Sequence, residues 1–218
     1  MDRRKAIAGL SSMLLLPKGA NALQLCPAND LPPGTCSAML DPGRFRGFAV
    51  PSLQRNSQWC WAACIEMVCR WYGISISQQS IVAQVYGGVQ NMPADDGTLT
   101  KALNSNWTAD DGSHFKISSF VFSPALHRSD VSNDRVIDDL TNDYPLINGS
   151  RSHATVVARV DYQRTPDGTP LVGRVHVIDP WPGAAGPPYF ARFLAPDEMR
   201  PASLPGGSLR YLASIRIS

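Results

Sequence analysis

Residues 57–69 read SQWCWAACIEMVC, which places Cys60, Cys64 and Cys69 beside two tryptophans in one short stretch. Apolar residues at 61, 64, 65, 68, 71 and 72 recur at a helical period and predict a helix over 60–72 with one buried face. Gly73 supplies its stop, and Ser57 or Gln58 its expected cap. An apolar helix must be covered by another layer, and the remaining chain has to supply that layer.

Further helices are expected at 78–86, capped by Ser77 and ended by Gly87-Gly88, at 99–103, and at 133–142, where Val136, Ile137 and Leu140 share a side. The period then changes. Residues 145–147 form a short apolar run, and 154–162 (ATVVARVDY) are β-branched and strand-like. Thr165-Pro166-Asp167-Gly168 reads as a turn, 171–178 as its hairpin partner and 210–217 as a last strand. Helices first and antiparallel strands second predict an α+β fold, with a central N-terminal helix packed on a C-terminal antiparallel sheet or barrel.

Residues 2–5 are charged and mostly basic, 6–16 apolar or small, and Ala20-Asn21-Ala22 an A-x-A site, the pattern of a secretory signal over 1–22 cut after Ala22. Arg3-Arg4 and Lys18 also fit twin-arginine export. The expected destination is the periplasm or the exterior of a bacterium. Removing four of the 20 Lys/Arg and one of the 18 Asp/Glu leaves the rest near −1, so no basic surface for nucleic acid is expected. No other apolar run is long enough to span a membrane. Residues 23–50 are read as an irregular extension held by a disulfide, and 51–218 as one catalytic domain.

All five cysteines follow the signal, and in an oxidising compartment four can pair and one is left over. Cys64 and Cys69 lie five apart in a helix, poor geometry for bonding each other. Each could pair with Cys26 or Cys36; a local Cys26–Cys36 bond is the competing connectivity. The C-x3-C-x4-C spacing is not that of a zinc site, so no metal or other cofactor is expected.

Cys60 opens its helix, where free N–H groups and the dipole favour a thiolate; Cys64 and Cys69 lie inside. A thiolate nucleophile needs a histidine partner and a group that orients the imidazole. Of His114, His127, His153 and His176, His153 begins the 154–162 strand after the turn-rich segment 148–152. Asp179 ends the hairpin partner at a nearly matching distance from the turn, so the two should meet. His176, on that same strand, should face the opposite way. His114 and His127 sit in polar contexts and are read as surface residues. Gln78 and Gln79 are read as helix surface.

Together these motifs resemble papain-like cysteine peptidases. That family has a Gln six residues before Cys-Trp-Ala, here Gln54 with Cys60-Trp61-Ala62. Its His opens a strand, here Ser152-His153-Ala154-Thr155-Val156-Val157. Its third residue ends a later strand beside a Trp, here Asp179-Pro180-Trp181-Pro182-Gly183. The form is most similar to compact bacterial members, including secreted effector peptidases and relatives of bacteriocin-leader peptidases. The resemblance implies Cys60 as nucleophile, His153 as its partner, Asp179 as orienting group, Gln54 with the Cys60 N–H as oxyanion hole, and Trp181 as a shield over the His–Asp contact. It implies a protein or peptide substrate and no cofactor; a monomer is the simplest expectation. Asp179 departs from the Asn of papain itself. Acyl transfer or amidase chemistry on the same residues, and a non-catalytic exported binding module, stay open on sequence alone.

Overall fold

The computed structural model describes residues 23–28, 30–44, 52–183 and 191–218, so the expected export signal lies outside the described residues. In chain order come strands β1 (Leu23–Leu25) and β2 (Cys36–Met39), then helices α1 (Cys60–Trp71), α2 (Gln78–Tyr86) and α3 (Asp96–Ala102). Strands β3 (Asn106–Thr108), β4 (His114–Ser123) and β5 (Arg128–Ser129), helix α4 (Asn133–Thr141) and strand β6 (Leu146–Ser150) follow. The rest is β-rich: β7 (His153–Arg164), β8 (Pro170–Ile178), β9 (Ala191–Phe193) and β10 (Leu209–Ile217). This is a mixed α+β fold with a large antiparallel sheet, consistent with a papain-like architecture.

The sheet is assembled around β7. Its neighbours run β1-β2-β7-β6-β10-β4-β3, while β8 lies on the other edge of β7 and β9 on β8. One edge of β7 serves β6 through residues 153–157 and β2 through 159–162. The run Ala154–Ala158 is buried without alternation, because α1 covers one face and the strand is central in the sheet. Val156, Val157 and Val160 meet Ile65 and Met67 of α1 in a common core.

Three expectations need correction here. The helix at 60–71 buries nearly every residue, Glu66 included, and not one stripe, because sheet and α2 enclose it. Its cap is Trp59, which has no side-chain oxygen to offer, and neither Ser57 nor Gln58 takes the role. Segment 23–39, read as irregular, carries β1 and β2, and strand β4 was not anticipated. β4 alternates cleanly, with Phe115, Ile117 and Val121 inward, and separates α3 from α4 in the chain.

The cysteine arithmetic also changes. Leu25 pairs with Ser37 across the β1–β2 hairpin, so Cys26 falls opposite Cys36, and these two form a disulfide. Cys64 and Cys69 are not bridged; with Cys60 they are free thiols, and both are buried in the core. Three cysteines are therefore left over, and parity alone does not single out Cys60.

The loop before β10 folds back so tightly that an added Cβ at Gly207 would lie 2.0 Å from the Pro201 carbonyl oxygen and 2.7 Å from that of Arg200. Gly168, in the β7–β8 turn, has φ +86° but open space around it. Gly207→Ala should therefore destabilise by about 1–3 kcal/mol through backbone displacement, or roughly 2–4 °C of melting temperature per kcal/mol at this size. Gly168→Ala should lose only the ~1–2 kcal/mol of a left-handed alanine. Thermal melts check this; a Gly207→Ala protein that melts with the wild type refutes the close approach.

Candidate active site

Cys60 is the first residue of α1 and is partly exposed. With Trp59 as a cap lacking a side-chain acceptor, the N–H groups of the first turn keep their positive field pointed outward. The tryptophans on either side of Cys60 fix this helix start from outside: the Trp59 indole donates to the Gln90 carbonyl at 2.8 Å and that of Trp61 to Met92 at 3.1 Å.

His153 follows the hairpin of β6 and β7. Ser150 pairs with His153, so Arg151 and Ser152 alone make the turn, both with positive φ (49° and 70°). A two-residue turn of this hand matches the strand twist but favours Asn-Gly. Here Arg151 is tied down by Asp197, through Nε at 2.7 Å. The turn is shorter than the expected 148–152, because Asn148 to Ser150 remain in β6.

The β7–β8 hairpin carries Asp179 to the same end of the sheet. Two irregularities in its register cancel, so Val156 still meets Ile178 and Arg164 meets Pro170. His153 Nε2 and Asp179 Oδ1 are 2.6 Å apart. The other ring nitrogen is left for the side of Cys60, which lines the same cavity as His153 and bears on its charge. Burial pulls the imidazole down, but the hydrogen bonds and charges of Asp179 and Cys60 outweigh it and push its pKa up to about 9. Burial pushes the Asp179 carboxyl up, and the bonds from His153, Arg192 and the Trp181 N–H overcome this to hold it below the usual range. The Trp181 ring meets His153 edge-on at 6.4 Å and stays about half exposed.

Gln54 is buried, and its backbone N–H donates to the Pro180 carbonyl at 2.9 Å, tying it to the residue after Asp179. Its side-chain amide donates to the carbonyls of Asn56 (2.9 Å) and Ser57 (3.2 Å), and Oε1 has no partner. Gln78, expected on the helix surface, is buried and clamps both neighbours of Gln54. Its Nε2 donates to the Leu53 carbonyl at 3.0 Å and its Oε1 accepts from the Arg55 N–H at 2.9 Å. Glu66 of α1 accepts from the same Nε2 at 2.7 Å and from Arg70 at 2.7 Å. Gln79 is exposed and accepts from Arg55.

Behind Asp179 lies a group that sequence reading missed. Arg192 Nε donates to Asp179 Oδ2 at 2.7 Å, and its other nitrogens reach Glu198 at 2.7 and 2.9 Å. Arg192 lies 13 positions beyond Asp179 in a short edge strand, and no spacing marked it. His176 stays outside the site, stacked on Phe193 at 4.2 Å, and His114 and His127 are exposed. Among the described residues no cluster of three His, Cys, Asp or Glu could hold a metal ion.

Beside Cys60 and His153 opens a cavity of about 270 Å³, walled by Trp61, Ala94, Leu99, Gly149 and Tyr211. It adjoins a larger one of about 590 Å³ along Asp95, Asp96 and Arg210. A partly exposed thiol, an imidazole and an adjoining groove are the parts that acyl transfer on an extended chain requires.

No curated protein and no solved structure matches the chain. The family model described as papain-like cysteine protease AvrRpt2 matches residues 45–195, which carry Gln54, Cys60, His153 and Asp179. With more than half its length inside that match, the chain belongs to the papain-like cysteine protease AvrRpt2 family and is a cysteine peptidase, a hydrolase.

Proposed function

We propose that the protein is an exported endopeptidase in which Cys60, His153 and Asp179 act as a catalytic unit, with Gln54 and the Cys60 N–H as oxyanion donors. The observation that carries the reading is His153 bonded to Asp179 at 2.6 Å on the same cavity that the Cys60 thiol lines at the start of α1. Cys60, as thiolate, attacks the peptide carbonyl while the imidazolium stands by. The tetrahedral oxyanion takes hydrogen bonds from the first turn of α1 and from Gln54. Both Gln54 amide hydrogens are engaged with loop carbonyls, so service to the oxyanion exchanges the longer bond, to Ser57. His153 then gives its proton to the leaving amine, and a water activated by the neutral imidazole releases the acyl group. Asp179 keeps the ring in plane throughout. Export is supported by the basic–apolar–A-x-A start and is compatible with the Cys26–Cys36 disulfide. No helix among the described residues is long and apolar enough to cross a membrane.

Iodoacetamide labelling at pH 6 tests the ion pair without a known substrate. An ordinary thiol near 8.5 is about 1% thiolate or less there, so Cys60 should label far faster in the native protein than after unfolding in urea. Equal rates would remove the catalytic reading. Cys60→Ala and His153→Ala should abolish peptide hydrolysis, and Gln54→Ala should lower turnover about 10²–10³-fold, the loss expected for one oxyanion donor.

The raised His153 pKa also links the site to stability. The folded value, about 9, lies above the ~6.5 of an unfolded histidine, so this stabilisation is fully present below pH 6.5. It disappears as pH rises through 9. The two limits differ by roughly 3 kcal/mol. Burial raises the thiols of Cys64 and Cys69, which adds a loss in the same direction above about pH 8.5. Urea unfolding at pH 6, 8 and 10 should thus show a steeper decline for the wild type than for His153→Gln. Parallel declines would mean that His153 is not held as imidazolium.

A further inference from the structure

The third residue of the site, Asp179, is a carboxylate where papain itself has an amide, and that has two physical consequences. An amide presents one neutral acceptor to the imidazole, whereas Asp179 brings a full negative charge and a second oxygen. Unbalanced, that charge would raise the proton affinity of His153 further. The second oxygen, buried without a donor, would be an unmet acceptor.

Both consequences meet one side chain. Arg192 covers Asp179 Oδ2 through Nε at 2.7 Å, leaving Oδ1 to His153. Its two remaining nitrogens grip Glu198 in a fork at 2.7 and 2.9 Å, so the guanidinium cannot swing away from Asp179 without breaking three bonds. Glu198 is itself fixed by the Ala195 N–H at 2.8 Å and by Ser150 Oγ at 3.0 Å. Ser150 is the residue paired with His153 across the β6–β7 turn. The chain of contacts therefore closes on itself, from His153 through Asp179, Arg192, Glu198 and Ser150 back to His153. Around that ring the charges alternate: imidazolium, carboxylate, guanidinium, carboxylate.

Few other charged groups bear on the imidazole. From α1 it faces the Cys60 thiol, with the Cys64 thiol deeper in the helix, kept neutral by burial. Arg151, at the turn before His153, is committed to Asp197. Asp179 faces His153 and Arg192 only among the charged groups that shift it.

We propose that Arg192 is a positioning residue for the reaction: it partly offsets the charge of Asp179 and fixes its plane, so that one oxygen of the buried carboxylate stays aimed at His153. This rests on the reading of Asp179 as the orienting group. Glu198 and Ser150 hold Arg192 in place.

The test uses ¹⁵N-histidine titration by NMR, with His153 assigned from a His153→Gln variant, together with the iodoacetamide rate of Cys60 at pH 7. In Arg192→Gln the cation is lost, and the His153 midpoint should rise by about one unit, the low end for removing a neighbouring charge. Arg192→Lys, which keeps the charge but not the fork to Glu198, should shift the midpoint less than Arg192→Gln and serves as the folding control. In Asp179→Asn the guanidinium faces a neutral amide beside the imidazole. The midpoint should fall by about one unit or more, and labelling should slow at least about tenfold. The double variant, Asp179→Asn with Arg192→Gln, should label several-fold faster than Asp179→Asn alone, because amide then meets imidazole with no stray cation. Arg192→Gln leaving the His153 midpoint unmoved, with the double variant no faster than Asp179→Asn, overturns the role of Arg192 alone. Asp179→Asn leaving both midpoint and rate unmoved overturns the orienting role of Asp179 and this proposal with it.

Discussion

Everything in the site depends on one short contact, the 2.6 Å hydrogen bond between His153 and Asp179. It spans two strand ends that the β7–β8 hairpin brings together, so its precision is inherited from the sheet. A ring held by a single bond could still rotate away from α1. Two further restraints act on it: the two-residue turn before β7 and the edge of the Trp181 ring. The site is thus a seam between sheet and helix, and α1 packing on β7 is what brings its two sides together.

That packing explains why α1 is apolar nearly all round and yet carries Glu66 at its centre. A buried carboxylate is unfavourable unless its oxygens are met, and here Gln78 takes one and Arg70 the other. The same Gln78 amide holds the backbone on both sides of Gln54. One polar cluster therefore connects the middle of α1, the start of α2 and the segment at 53–55. Shifting α1 would disturb the thiol and the Gln54 loop at once, while the Gln54 N–H bond to Pro180 extends the link to the Asp179 side. Burying a charge in this way is poor stabilisation but a good way to hold one register.

Much of this was legible in residues alone, and the rest was not, for physical reasons. Helix α2 was readable to the residue because Ser77 and Gly87 are local caps whose effect needs no tertiary context. The approach of His153 to Asp179 was readable because a hairpin turns sequence distance into spatial distance. β4 was missed although its alternation is plain, because Ser118 and Ser119 interrupt the apolar pattern at its centre. Gln78 was misjudged because a helix's first residue ordinarily points to solvent, and only the fold of 53–55 over it makes it interior. Arg192 and Glu198 had no signal at all, since an ion pair between a three-residue edge strand and the turn after it leaves no period. The cysteine parity argument failed because burial protects a thiol from oxidation as well as pairing does, so Cys64 and Cys69 need no partners.

The division of labour among the thiols follows from position alone. Cys60, between Trp59 and Trp61, and Cys64, between Ala63 and Ile65, are one turn apart on the same helix in opposite circumstances. Cys60 has a helix start without a side-chain cap, partial exposure and the His153 imidazole on the same cavity. Cys64 has full burial, and burial together with the charges of Cys60 and Asp179 drives its thiol well up. An electrophile that enters the groove therefore meets one sulfur only. A single helical turn, about 5.4 Å along the axis, separates a group suited to chemistry from one suited to packing.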